Sequence, residues 1–259
     1  MEPYVGVTDL RDLAEVEAVI SFLPALPPRP LMIGVLANNK TLAGLPNKHP
    51  KRFPKIETIA DIFKNVSWAQ LEDVEAIIHY RTDEPDSLFA QLDQLVELGD
   101  VNLDGFQLNS PWPPIEELER FKDKYWEKEF RLILRVGDQI RQESPNIIAS
   151  RVGEYVGLIT DVVIETGLIT DQAFDPDRPR QYLDAIVAEL QNKEGRRWPF
   201  TGIGVTGGLG PSTVHLIEPL LKEFPRLSFD AYEQLRDKKD NFDLVLVKNY
   251  FEKAFRLVR

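Results

Sequence analysis

Two features of this chain carry residue types that could do chemistry: a carboxylate closing an apolar run, and a glycine pair ahead of a proline. Glu165 follows Val162-Val163-Ile164. Burial at the end of such a strand penalises the charged form of a carboxyl group and raises its pKa toward that of a general acid. The same residue would serve equally as a structural carboxylate bonded to a neighbouring arginine such as Arg135, and the sequence leaves both readings open. Gly207-Gly208 follows the β-prone run Ile203–Thr206 and precedes Gly210-Pro211, where a helix is expected to open because proline is favoured at a first helical position. Glycines let the backbone approach a ligand closely, and N–H groups at a helix start attract anions. The plain alternative for the pair is a structural strand-to-helix turn.

The elements that must position these groups alternate along the chain. Strands are expected at 4–7, 32–36, 75–80, 105–108, 131–136, 161–165, 202–206 and 227–230. Amphipathic helices are expected at 10–22, 56–64, 87–98, 115–126, 145–154, 179–191, 212–224 and 242–257. In the third of these, Leu88, Leu92, Leu95 and Val96 recur on one face at helical spacing. Eight strands, each followed by a helix, in about 250 residues match a closed (β/α)₈ barrel, with an open doubly wound sheet as the competing arrangement. No repeat or low-complexity stretch divides the chain, so residues 1–259 read as one domain.

A barrel places its working groups at the carboxyl ends of the strands. That rule selects Thr8 and Asp9, then Asn38, Asn39 and Lys40, then His79, Tyr80 and Arg81. It adds Gln107 and Asn109, Arg135, Glu165 and Thr166, the glycine turn, and finally Asp230, Tyr232 and Glu233. Any one of these would also suit a solvated rim, and a lone histidine such as His79 reads as a satisfied core or rim group.

Composition narrows the chemistry further. The net charge of −11 argues against a nucleic-acid partner. The chain has no cysteine, which excludes disulfides, thiolate metal sites and a cysteine nucleophile. No two histidines have metal-ligand spacing, and the acidic loop Asp171, Asp175 and Asp177 lacks an ordered calcium pattern, so no metal is expected. The first strand is not followed by a dinucleotide fingerprint, and no lysine ends a strand to form a Schiff base, so no cofactor is expected. The opening Met-Glu-Pro-Tyr lacks a signal core and no apolar run reaches membrane-spanning length. A soluble cytoplasmic protein without a membrane partner is the expectation; its oligomeric state is not readable.

In order along the chain, several strand ends resemble those of phosphoribosylanthranilate isomerase, a (β/α)₈ enzyme. Val5-Gly6-Val7-Thr8-Asp9-Leu10-Arg11-Asp12 is similar to that family's Cys-Gly-x-Thr-x-x-x-Asp, and Leu103-Asp104-Gly105-Phe106-Gln107-Leu108-Asn109 to its Leu-Asp-x-x-Gln-Leu-His. Residues 132–136 resemble its fifth strand. Val162-Val163-Ile164-Glu165-Thr166 resembles its Leu-Leu-Leu-Asp-Thr, and Gly207-Gly208-Leu209-Gly210-Pro211 its Gly-Gly-Leu-Asn-Pro. The resemblance implies an Amadori rearrangement with a cysteine base and an aspartate acid. Here the cysteine position is Val5, the aspartate position is Glu165 and the histidine position is Asn109. The family's Ser-Ser-Gly phosphate cup is replaced by Phe229-Asp230-Ala231-Tyr232-Glu233, so either Asp230 points away or the ligand is not a phosphate monoester. Lys51 or Arg52 is the loose counterpart of its active-site arginine.

The expectation is therefore a diverged barrel that does not catalyse the phosphoribosylanthranilate reaction. It would be an enzyme of isomerase or lyase type acting on a small anionic, sugar-like or phosphorylated metabolite. Glu165 would be the acid or base, Thr8, Gln107, Asn109, Arg135 and Asp230 would bind substrate, and Gly207-Gly208 would hold its anionic end. The alternative is a non-catalytic binding or regulatory barrel.

Overall fold

A computed structural model of the chain describes residues 1–65, 71–99, 102–110, 112–165, 174–195 and 200–259. Thr166 and Asp171 lie outside the described residues. Eight parallel strands close on themselves in sequence order: β1 (Val5–Val7), β2 (Leu31–Asn38), β3 (Val74–Arg81), β4 (Gly105–Leu108), β5 (Arg131–Val136), β6 (Asp161–Glu165), β7 (Gly202–Thr206) and β8 (Leu227–Ala231). The last strand returns to the first in parallel register, with Gly6 opposite Asp230. This is a single (β/α)₈ barrel, and the open sheet is excluded.

Around it run α1 (Leu13–Ile20), the short α2 (Asn39–Leu42), α3 (Ile56–Asn65), α4 (Leu88–Gly99), α5 (Ile115–Lys124), α6 (Pro145–Glu154), α7 (Asp177–Glu194), α8 (Glu218–Glu223) and α9 (Leu244–Leu257). The apolar stripe of α4 (Leu88, Leu92, Leu95 and Val96) is buried against the barrel. α1 begins later than its hydrophobic pattern suggests because Asp9 takes a positive φ of 69° and Asp12 caps the helix, accepting from the Glu15 N–H at 3.0 Å. Helical pattern over residues 212–224 resolves into a turn of 3₁₀ helix at Val214–Ile217 and then α8. Pro219 explains the break: it lacks an N–H to donate back one turn, and its ring would clash with the carbonyl four residues earlier. The helix expected to open at Gly210-Pro211 is therefore not there.

Side chains of a strand alternate between the helix layer and the barrel interior. The outward set packs with the helices into one large apolar core. The inward set of β3, β5 and β6 runs polar, apolar, polar: Glu75-Ile77-His79, Arg131-Ile133-Arg135 and Asp161-Val163-Glu165. Ile77, Ile133 and Val163 join Tyr4 and Met32 in a separate, fully buried disc inside the barrel. Below the disc Arg131 donates to both oxygens of Asp161 at 2.9 Å, to the Glu2 carbonyl at 2.8 Å, and pairs with Glu75. Its guanidinium also lies 4.7 Å from the centre of the Tyr4 ring.

This floor joins three strands and the N-terminal segment through one buried cation. Breaking a buried ion pair by removing one partner costs about 3–5 kcal/mol, because the other charge is left unpaired. Arg131→Met is predicted to lower the unfolding free energy by about that amount, read from the urea midpoint, whereas an unchanged midpoint would show that the floor contributes no stability.

Candidate functional site

Two residues beyond the apolar disc, the same inward columns reach a polar layer at the carboxyl ends of the strands. Here Thr8, His79, Gln107, Asn109, Arg135, Glu165, Thr206 and Asp230 line a cavity of about 260 Å³. Arg81 and Tyr232 stand higher on its wall, and Asp9, Arg52, Phe53 and His49 close one side. Small residues on β1 and β2 make this layer possible. A Cβ at Gly6 would sit 2.5 Å from the Asp230 Cβ, and one at Gly34 would sit 2.7 Å from His79 Nε2.

Glu165 is fixed on both sides. One oxygen pairs with the Arg135 guanidinium and the other accepts from the Tyr232 hydroxyl at 2.6 Å. The arginine-bonded reading left open by the sequence is thus the geometry observed, with Glu165 buried at 1% exposure. Burial lowers the pKa of Arg135 from its ordinary value and keeps the Tyr232 phenol protonated by raising its own.

Asp230 is held differently. The Thr206 hydroxyl donates to one oxygen at 2.5 Å, and the other oxygen is buried without a partner. Its side chain is on the inner face of the barrel, against Gly6, and Asp230 is among the residues lining the cavity. Burial, only partly offset by Thr206 and the nearby Arg135 charge, raises its pKa to about 7. Asp9 is a weaker instance: burial raises it to about 6 against the charges of Arg52 and Arg236, with Arg52 at 3.9 Å.

A buried polar ladder lies opposite. Gln107 Nε2 donates to Asn109 Oδ1 at 2.9 Å and lies 3.1 Å from His79 Nδ1. Burial and the Arg135 charge depress the His79 pKa to about 3, so the ring is neutral; with Nδ1 accepting, its proton is on Nε2. His79 Nε2 and Gln107 Oε1 are both buried without a hydrogen-bond partner.

The segment after α2 is strapped across the mouth. Arg52 pairs with Asp240 at 2.9 Å, Arg236 donates to the Lys51 carbonyl at 2.7 Å, and Lys51 to the Lys239 carbonyl at 2.6 Å. Those contacts bring Arg52 to the cavity, a position the sequence marked only loosely. By contrast, the Arg81 side chain has neither an ion pair nor a hydrogen bond among the described residues, although it borders the same cavity.

All the expected binding residues at strand ends, Thr8, Gln107, Asn109, Arg135 and Asp230, therefore line one cavity with Glu165. Gly207 and Gly208 do not line that cavity. Both glycines have positive φ, 84° and 70°, but the Gly208 carbonyl accepts from Thr213 in a turn, with no helix opening behind it. Tyr80 faces the helix layer and bonds Gln91 at 2.9 Å, Asn38 caps α2, and Lys40 is exposed. Val5, at the family's cysteine position, packs in the outer core and presents nothing to the cavity. Thr206, absent from the sequence candidates, was findable by counting alternate residues back from the glycine turn. Among the described residues no group of three or more histidines and carboxylates is arranged to hold a metal. A larger cavity of about 410 Å³ lies at the opposite end of β7 and β8, but its one buried carboxylate, Asp161, is bound to Arg131. Three unpartnered buried polar atoms, His79 Nε2, Gln107 Oε1 and Asp230 Oδ2, belong to residues of the carboxyl-end mouth.

No protein-family model matches this sequence, and no curated protein matches it. Solved structures do match its fold. Phosphoribosyl anthranilate isomerase from Thermotoga maritima is 13% identical, with a TM-score of 0.63 over 97% of this chain and 98% of that one. The Thermus thermophilus enzyme is 13% identical, with a TM-score of 0.62 over 98% and 99%. A further phosphoribosyl anthranilate isomerase structure, 15% identical with a TM-score of 0.63 over 97% and 98%, holds reduced 1-(o-carboxyphenylamino)-1-deoxyribulose 5-phosphate. The barrel is thus phosphoribosylanthranilate isomerase-like in fold. No helix among the described residues is long and apolar enough to cross a membrane.

The raised pKa of Asp230 sets a pH dependence. Between its ordinary 3.8 and about 7 the folded chain keeps a proton that the unfolded chain has released. That contribution favours folding at acid pH and is lost as pH rises through about 7, at up to about 1.4 kcal/mol per pH unit. Asp230→Asn removes the group, so its stability relative to the parent should improve as pH rises from about 5 to 8 in urea titrations. A stability difference constant over that range would contradict the assignment.

Proposed function

We propose that this barrel is an enzyme moving a proton on a small anionic, sugar-like metabolite bound at the carboxyl-end mouth, with Asp230 as the proton-transfer group. The observation that carries the reading is the Asp230 carboxyl: buried, anchored through one oxygen, unpartnered at the other and poised near neutrality. A general acid or base works best with a pKa near the operating pH and within hydrogen-bonding reach of the proton it moves. Glu165, with both oxygens engaged, here acts as a positioning residue that holds Arg135 toward the ligand. Thr8, Gln107 and Asn109 orient the substrate, with Arg135 beside them, and the anionic end lies at Arg81 instead of at Gly207-Gly208.

The ligand class is supported by the cationic side chains of the cavity and by the sugar phosphate derivative held by a protein of the same fold. The phosphoribosylanthranilate reaction itself is not part of the proposal, because Val5 presents no proton carrier. The reaction class is isomerisation or elimination driven by proton removal next to a carbonyl or hydroxyl carbon.

The test is hydrogen exchange at carbon. Sugar-like anions incubated with the protein in D₂O are followed by NMR, and the parent should exchange at least one of them. Asp230→Asn should slow that exchange by about 10²–10⁴-fold, the usual cost of losing a positioned acid or base. Glu165→Gln should weaken binding more than it slows turnover. Undiminished exchange in Asp230→Asn would remove Asp230 from the chemistry.

A further inference from the structure

The substrate class can be narrowed by asking what the cavity leaves unsatisfied. This step rests on the reading of the mouth as a ligand site. Three buried polar atoms there lack partners: His79 Nε2, Gln107 Oε1 and Asp230 Oδ2. In the neutral ring His79 Nε2 offers a proton, and Gln107 Oε1 can only accept one. Asp230 does either, depending on its protonation. A buried polar atom without a partner is destabilising, so a ligand whose groups pair with these three is favoured here. A hydroxyl donates one hydrogen bond and accepts others, so a carbon chain bearing neighbouring hydroxyls meets a mixed set of donors and acceptors with one functional group.

The charges limit what accompanies those hydroxyls. Arg135 is neutralised by Glu165, and Arg52 is shared among Asp240, Glu233 and Asp9. Arg81 alone has no anionic or hydrogen-bonding partner among the described residues. One unpaired guanidinium matches one negative charge. A guanidinium also presents paired donors in the geometry of a planar carboxylate. A phosphate monoester would bring about two charges at neutral pH. It would have to lie near the buried carboxyl groups of Asp230 and Asp9, with the Gly207-Gly208 amides outside the cavity. Asp230 points inward, which is the alternative under which the ligand is not a phosphate monoester.

The geometry points to a polyhydroxylated monocarboxylate, a sugar acid, as the substrate class of this site. Its carboxylate is held by Arg81 and its hydroxyls lie along His79, Gln107 and Asp230. Arg81 then determines specificity for the acid over the parent sugar, while the buried ladder selects for hydroxyls.

Isothermal titration calorimetry at neutral pH tests this with three probe classes: five- and six-carbon aldonates and uronates, the corresponding neutral sugars, and ribose 5-phosphate with glucose 6-phosphate. At least one sugar acid should bind the parent ten or more times more tightly than its neutral counterpart. Arg81→Gln, an exposed substitution that leaves the barrel packing untouched, should cut that affinity tenfold or more and leave neutral-sugar binding unchanged. Gln107→Leu should weaken the hydroxylated acid, with folding checked by its circular dichroism. A sugar phosphate bound more tightly than every sugar acid, or sugar-acid affinity unmoved by Arg81→Gln, overturns the carboxylate assignment and leaves the proton-transfer reading standing. Absence of binding by any probe class overturns both.

Discussion

A closed barrel must fill its own interior, and the strand period of two gives each strand only every second residue to do so. Here the interior is filled in three layers, of which only the middle one is apolar. The lower layer has a buried cation, Arg131, completely surrounded by acceptors. The upper layer contains similar residue types but is left incompletely paired. Strands β3, β5 and β6 carry both polar layers on the same columns, so the register that fixes the floor also fixes the height of His79, Arg135 and Glu165. The mouth is positioned by the floor through a disc of five apolar side chains.

Two carboxyl groups of the upper layer show how environment divides roles. Glu165 and Asp230 are both about 1% exposed and both lie close to Arg135. Glu165 takes the guanidinium directly and accepts from a phenol besides. Asp230 receives one neutral hydroxyl and only the more distant field of Arg135, so burial dominates and its proton is retained to about pH 7. Gly6 is part of the arrangement, since a side chain there would occupy the space of the Asp230 Cβ.

Much of the architecture was legible in the sequence because apolar periodicity is a local signal. β4, β5, β6 and β7 begin and end where their runs of residues predict, and the α4 stripe is the one buried. The misreadings have local physical causes as well: Pro219 interrupts the 212–224 helix, and the capping Asp12 delays α1. Strand-end residues were located, but their partners were not. Whether Glu165 stood free or met Arg135 depends on side-chain directions across two strands. The inward turn of Asp230 follows from its register with Gly6, which no local pattern encodes. The strap carrying Arg52 rests on contacts 185 or more residues apart, beyond the reach of any motif. For the glycine pair, the turn signal is borne out at the backbone, where both φ values are positive, while the pair lies outside the lining of the mouth cavity.

The division of labour between layers also explains how such a fold tolerates so different a mouth. The outer apolar core, the disc and the Arg131 floor are complete without any residue of the upper layer. Their burial supplies the dominant stabilising term, which scales with apolar area removed from water. Unpaired atoms at His79, Gln107 and Asp230 each subtract from that stability, as does holding Asp9 at a positive φ. The clustering of these three atoms at the carboxyl end suits a binding site, where a ligand completes the missing hydrogen bonds. Val5 shows the complementary point: it is given wholly to packing in the outer core, and under the proposed function the proton carrier stands on β8 instead. On the proposed reading, Asp230 on β8 accounts for both the proton transfer and the ligand charge.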